Sequence, residues 1–164
     1  MSVSPQLKKL QSAWITAENF RPYGQVIFPS QDGKSFDQDD AQLSLHNGIP
    51  RFYIMRLYNQ GLEFHHLTRH TQCTQCLGAL EGKDWFIAVC PPCNDVSEPI
   101  LDKIAAFHVP GNCFIKLEVG TWHAGPFFQH EFVDFYNLEL SDTNLVDHFT
   151  HNFHKTHQLG FEIV

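Results

Sequence analysis

Imidazoles are concentrated in one short stretch of this chain. Between Gly61 and Gly82 lie His65, His66 and His70, the amide Gln75 and the thiols Cys73 and Cys76. In an extended segment the side chains alternate, so His66, Thr68 and His70 share one face and Arg69 points away from it. A second group follows at Glu118, Trp122 and His123. Imidazoles beside a carboxylate are suited to moving protons near neutral pH. With oxygen donors they also bind divalent first-row metals, three protein ligands leaving positions open for a chelating substrate. The candidate constellation is therefore His70, Gln75 and His123, with His66, Thr68 and Glu118 as neighbours. The plainer reading of the same residues is a hydrogen-bonded, metal-free interior. Arg69 and Arg51 are candidate clamps for a carboxylate, because a guanidinium binds one through two parallel hydrogen bonds. Trp122 is either a platform for substrate or core packing, and Lys116 and Glu118 are spaced to form an ion pair.

The thiols allow a different chemistry. Cys73-x-x-Cys76 and Cys90-Pro-Pro-Cys93 are separated by 13 residues, near the spacing of a zinc ribbon. The strands carrying Cys76 and Cys90 flank the turn at Gly82, and pairing of those strands would bring the thiols together. Against this, Cys73 and Cys76 are an odd number of residues apart and face opposite ways on a regular strand. Small buried core residues are the alternative. A redox role for Cys-Pro-Pro-Cys needs a helix N-terminus to lower the thiol pKa, and Pro99 interrupts a helix there. His148, His151, His154 and His157 recur at every third residue. On an α-helix that step drifts by about 60°, so the four do not share one face; a surface segment docked through Phe149 and Phe153 is expected.

The elements that must position these groups read as short strands. Arg51–Tyr58, Leu62–His70, Gln72–Ala79, Trp85–Val89, Ile104–Val109, Phe114–Val119 and Phe132–Leu140 are rich in Val, Ile, Phe and Tyr and are punctuated by Gly or Pro. Leu80–Lys83 and Val109–Asn112 carry turn signals. Thr16 is placed to cap a single helical turn before Pro22, and Ser30–Ala41 reads as a polar loop. With little helical periodicity, the chain predicts an all-β antiparallel barrel or sandwich with less than about a fifth of its residues helical. Its 164 residues suit one domain spanning 1–164, without a visible linker or repeat.

Composition narrows the function classes. A net charge of −7 argues against a nucleic-acid surface, and no apolar run approaches the roughly 18 residues that cross a bilayer. The polar segment Met1–Lys9 has no apolar signal core, so the expected location is cytoplasmic, with reduced thiols. No Gly-x-Ser-x-Gly, P-loop, dinucleotide fingerprint or His-Glu-x-x-His occurs.

The two chemical groups resemble the paired motifs of the cupin barrel. His70, Gln75 and Gly82 take the second-His, acid-or-amide and Gly places of the first motif, with Thr68 in the first-His place, and Glu118-x-Gly120-x-x-His123 resembles the second. Within the cupins the chain resembles the ureidoglycolate lyases, on Ile15–Ile27, His46–Tyr53 with its Asn47-Gly pair, Leu67–Gln75, and Trp122-His123 followed by Asp134-Phe135. Thr68 replaces that family's Glu before Arg-His, and Leu117-Glu118 replaces its Tyr-His. The resemblance implies cleavage of ureidoglycolate to glyoxylate and urea, a step of allantoin and purine breakdown. It points to His70, His123 and Glu118 as catalytic groups and to Arg69, Gln75, Arg51, Asn47 and Trp122 as substrate-binding ones. It also implies a divalent ion (Ni, Mn, Zn or Fe) on His70, Gln75, His123 and His66, a small carboxylate as substrate, and a homodimer. A divergent, non-catalytic cupin binding a carboxylate or metal, and a structural zinc module on the cysteines, remain alternatives.

Overall fold

The computed structural model describes residues 4–93 and 97–164. Fourteen strands appear among them: β1 (Gln6–Leu10), β2 (Ser12–Trp14), β3 (Gly24–Ile27), β4 (Pro50–Tyr58), β5 (Glu63–Phe64), β6 (His66–Arg69) and β7 (Gln75–Ala79), then β8 (Gly82–Cys90), β9 (Ala105–Gly111), β10 (Phe114–Leu117), β11 (Trp122–Phe127), β12 (Phe132–Leu140), β13 (Phe149–Asn152) and β14 (Leu159–Ile163). Helix is confined, among these residues, to a 3-10 turn at Leu101–Lys103 and two short helices, α1 (Thr143–Val146) and α2 (Phe153–His157). The all-β expectation holds.

Three sheets form, ordered β3-β10-β7-β12-β4, β13-β6-β11-β8-β9-β2 and β1-β14-β5. The five- and six-stranded sheets face one another over a core that includes Leu77, Trp85, Ile87, Val89, Ile115, Val133 and Phe135. The small sheet and α2 cover the other face of the six-stranded sheet through Phe64, Leu67, Trp122, Phe153 and Phe161. Strand β8 shows why: Trp85, Ile87 and Val89 enter the first core, Ala88 and Cys90 the second. Burial on both faces makes that strand a continuous apolar run rather than an alternating one. Most pairings are antiparallel; β1 with β14 and β2 with β9 are parallel.

Two readings of the sequence are corrected here. Leu62–His70 is two strands, in different sheets: β5 pairs with β14, whereas β6 pairs with β11 and β13. The turn after β7 does have positive φ at Glu81 and Gly82, but it carries the chain from one sheet to the other. Strand β7 pairs with β10 and β12, and β8 with β9 and β11. Cys76 and Cys90 therefore lie in opposite layers. Thr16 caps a single turn as expected, through reciprocal hydrogen bonds with Asn19, which donates its N–H to the Thr16 hydroxyl and accepts the Thr16 N–H, and the Phe20 N–H closes the turn on the Thr16 carbonyl at 3.2 Å.

Candidate active site

Alternation on β6 and β11 sorts the site residues. Leu67 and Trp122 enter the outer core, so Thr68 and His123, which are direct cross-strand partners, face between the two large sheets. Arg69 is on the Trp122 side, its guanidinium 4.6 Å from the indole centroid. It braces that ring.

His70 is held by the chain that returns from β12. Its Nδ1 lies 2.6 Å from the Asp147 carbonyl oxygen, and a carbonyl only accepts, so Nδ1 carries the hydrogen and Nε2 keeps its lone pair when the ring is neutral. The Asp147 carboxylate accepts hydrogen bonds from the Thr71 and Gln72 backbone N–H groups at 2.7 and 2.8 Å. Gly120, at φ +83°, makes the turn that leads into β11, and its N–H donates to the His70 carbonyl at 2.8 Å. His70 thus meets His123 with ring centroids 5.2 Å apart and His148 at 5.8 Å. Nothing in the spacing of the four late histidines singles out His148.

His123 keeps some exposure, but its Nδ1 is buried and has no hydrogen-bond partner among the described residues. Burial, then the nearby His70, push its pKa down to about 3. It is a neutral imidazole at physiological pH. Beside it opens a chamber of about 380 Å³ lined by His66, Thr68, His123, Ala124, Gly125, His148, Thr150 and Asn152. Thr68 and Thr150 share a hydrogen bond at 2.9 Å across β6 and β13. Among the described residues no carboxylate and no arginine lines this space.

Deeper, Gln75 is fixed by a network that sequence reasoning missed. Its Nε2 donates to Asn137 Oδ1 at 3.1 Å and Glu139 Oε2 at 3.3 Å. The Tyr53 hydroxyl donates to Glu139 Oε1 at 3.2 Å and accepts from Asn137 Nδ2 at 3.1 Å. Turning the Gln75 amide over would set its oxygen against the Glu139 carboxylate, so the nitrogen is held there. Its Oε1 is left buried without a partner, in a narrow space shared with His70, Cys73, Leu117, Glu118, Thr121 and His123. Asn137 and Glu139 are fully buried. They alternate inward with Val133 and Phe135 on β12, and that break from apolar to polar was the available signal.

The other expected site residues lie apart from the chamber. Glu118 pairs with the buried Lys116 ammonium at 2.5 Å. Arg51 is exposed and stacks on the Tyr53 ring, 3.7 Å from its centroid. Asn47 is exposed and donates to the Gln72 carbonyl. Trp122 is core. The later histidines disperse: His154 stacks on His65 at 4.1 Å, and the His151 and His157 rings both contact the Thr156 hydroxyl. Burial and the neighbouring His154 and His66 lower the pKa of His65. Phe153 is docked as expected, while Phe149 is half exposed.

Among the described residues no three His, Cys, Asp or Glu side chains converge to hold an ion; the first-His cupin place is a threonine engaged by Thr150, and Gln75 offers an amide. The thiols are dispersed too. Cys73 contacts the Thr143 hydroxyl and Cys90 the Ile100 carbonyl, and burial pushes the Cys76 and Cys90 thiols up to about 12 and about 11. A thiol held protonated is a poor zinc ligand.

Two facing sheets with imidazoles gathered at one end make a cupin-like barrel. Residues 33–157 match the family model described as ureidoglycolate lyase, and the chain belongs to that family. That membership supports a lyase-type enzymatic role. No curated protein matches the chain. A solved chain of vicilin from Corylus avellana (hazelnut) is similar at 10% identity and a TM-score of 0.38, over 70% of this chain and 34% of that one, so this chain spans about a third of its length. Among the described residues no helix is long and apolar enough to cross a membrane.

Proposed function

We propose that the chain cleaves ureidoglycolate to glyoxylate and urea in the chamber beside His123. Family membership supports the reaction class, and the observation that carries the site is the convergence of His70, His123 and His148. Ureidoglycolate bears a hydroxyl and a ureido nitrogen on one carbon, next to a carboxylate. The hydroxyl proton must leave as the carbonyl forms, and the departing nitrogen must gain one. Two imidazoles facing the same substrate divide these tasks. His123 is neutral, so it carries a free lone pair and starts as the acceptor, and His148, at the chamber wall, supplies a proton to the leaving nitrogen. His70 acts through these rings as a positioning residue. The substrate carboxylate meets the Thr68 and Thr150 hydroxyls, the Asn152 amide and the His66 imidazole, since the two expected arginines lie elsewhere.

The test is release of urea and glyoxylate from ureidoglycolate, followed for wild type, His123→Gln and His148→Gln. Each substitution is expected to lower kcat about a hundredfold, the usual scale for one acid–base group, with melting little changed for His148→Gln. Absence of turnover in the wild type, or full turnover in both variants, refutes the assignment. The hydrogen bond that occupies Thr68 in the first-His place favours a second reading, a cupin that binds a small carboxylate without turnover. Saturable binding with no product release is its signature.

A further inference from the structure

Two polar atoms of the site, Gln75 Oε1 and His123 Nδ1, are buried without a hydrogen-bond partner among the described residues, and both side chains border the same narrow space. A buried polar atom left unpaired is costly. The Gln75 amide is not free to turn: its Nε2 donates to Asn137 and Glu139, and the side chain is only 7% exposed. Its oxygen is therefore a fixed acceptor. Among the described residues the other polar groups bordering the space have their hydrogens committed elsewhere. His70 spends its Nδ1–H on the Asp147 carbonyl and keeps a lone pair on Nε2. The Thr121 hydroxyl donates to the Tyr23 carbonyl, the Cys73 thiol is engaged with the Thr143 hydroxyl, and Glu118 is a carboxylate held by Lys116. The Thr121 backbone, two residues before His123, also favours a proton on that ring, as an acceptor does. One hydrogen is left to serve Gln75 Oε1, that of His123 Nδ1.

We propose that Gln75 is a positioning residue: its amide oxygen holds neutral His123 as the Nδ1–H tautomer and so leaves the Nε2 lone pair for the chamber. The consequence for rate rests on His123 being the proton acceptor, as proposed above; the tautomer itself does not. In this tautomer the substrate hydroxyl proton passes to Nε2, and the imidazolium that forms has its Nδ1–H already directed at an acceptor. The other tautomer presents an N–H to the chamber and accepts nothing there. Glu139 and Asn137 act one step further back, by keeping the oxygen of Gln75 and not its nitrogen towards the imidazole. An amide suits this place. It accepts on the His123 side while donating on the Glu139 side, where a second carboxylate would set two like charges together.

Long-range proton–nitrogen correlation spectra of the imidazoles test this in the full chain at neutral pH without substrate, the spectrum of His123→Gln identifying the His123 signals by their loss. Wild-type His123 is expected to carry its hydrogen on Nδ1. Gln75→Met removes the acceptor at similar side-chain length. It is expected to move population to the Nε2–H form and to lower kcat for urea release by about two- to tenfold, the range one hydrogen bond spans, with KM unchanged. Gln75→Asn, which keeps an amide but draws it back from the ring, should shift both readouts in the same direction. A wild-type His123 with its hydrogen on Nε2 overturns the proposal, as does a folded Gln75→Met protein whose tautomer or kcat is unchanged. A wild type without turnover refutes the reaction proposed above, and the spectra then decide by themselves whether Gln75 sets the ring.

Discussion

The imidazole of His123 gives the protein a specific acid sensitivity. In the fold its pKa is pushed down to about 3 by burial and by His70, against about 6.5 in an unfolded chain. Between those values the unfolded state binds more protons than the native state, so stability rises with pH across the window and is lost as pH falls from about 6.5 towards 3. At pH 4.5 the native ring is still neutral while its unfolded counterpart is almost fully protonated, which costs about 2–3 kcal/mol of folding free energy relative to pH 7.5. His123→Gln removes the titration and keeps a hydrogen-bonding side chain. Urea unfolding of both proteins at pH 7.5 and 4.5, at one ionic strength, gives two losses of stability. The wild-type loss should exceed that of the variant by about 2–3 kcal/mol. His65 and His151 are lowered in the same direction but are present in both proteins and cancel in the difference. Equal losses in the two proteins would refute the reasoning.

Three further outcomes are expected. Cys90→Ser should retain turnover, because the thiol faces the Ile100 carbonyl in the outer core; a folded Cys90→Ser protein without activity contradicts the imidazole site. Tyr53→Phe removes the donor to Glu139 and the acceptor of Asn137, and should lower stability by about 1–3 kcal/mol in urea titration, the cost of leaving buried polar groups unpaired. Asp147→Asn replaces an acceptor of two backbone N–H groups by an amide with one oxygen; it should lower kcat by loosening His70, and Asp147→Glu should rescue less than full activity, an effect read as kcat at saturating substrate.

Much of the architecture was legible in order along the chain. Phe132–Leu140 is a strand with the bounds its composition suggests, and the face shared by His66, Thr68 and His70, with Arg69 opposite, follows from the two-residue period of an extended chain. The family resemblance carried by Leu67–Gln75 and Trp122-His123 was also present in the residues alone. Other features depend on which strands become neighbours, and local pattern does not contain that. The Gly82 turn reads as a hairpin, but its strands join opposite sheets because each side of β8 has its own core to fill. For that reason Cys76 and Cys90 separate. His148 reaches His70, across 78 positions of sequence, only because the Asp147 carboxylate caps the turn after β6. Glu139 looks like one polar residue in an apolar strand until Tyr53, Gln75 and Asn137 surround it. The two-residue period of an extended chain sets which side chains face together along each strand; which strands face each other is set by the fold, because burying two apolar faces is a property of the whole chain.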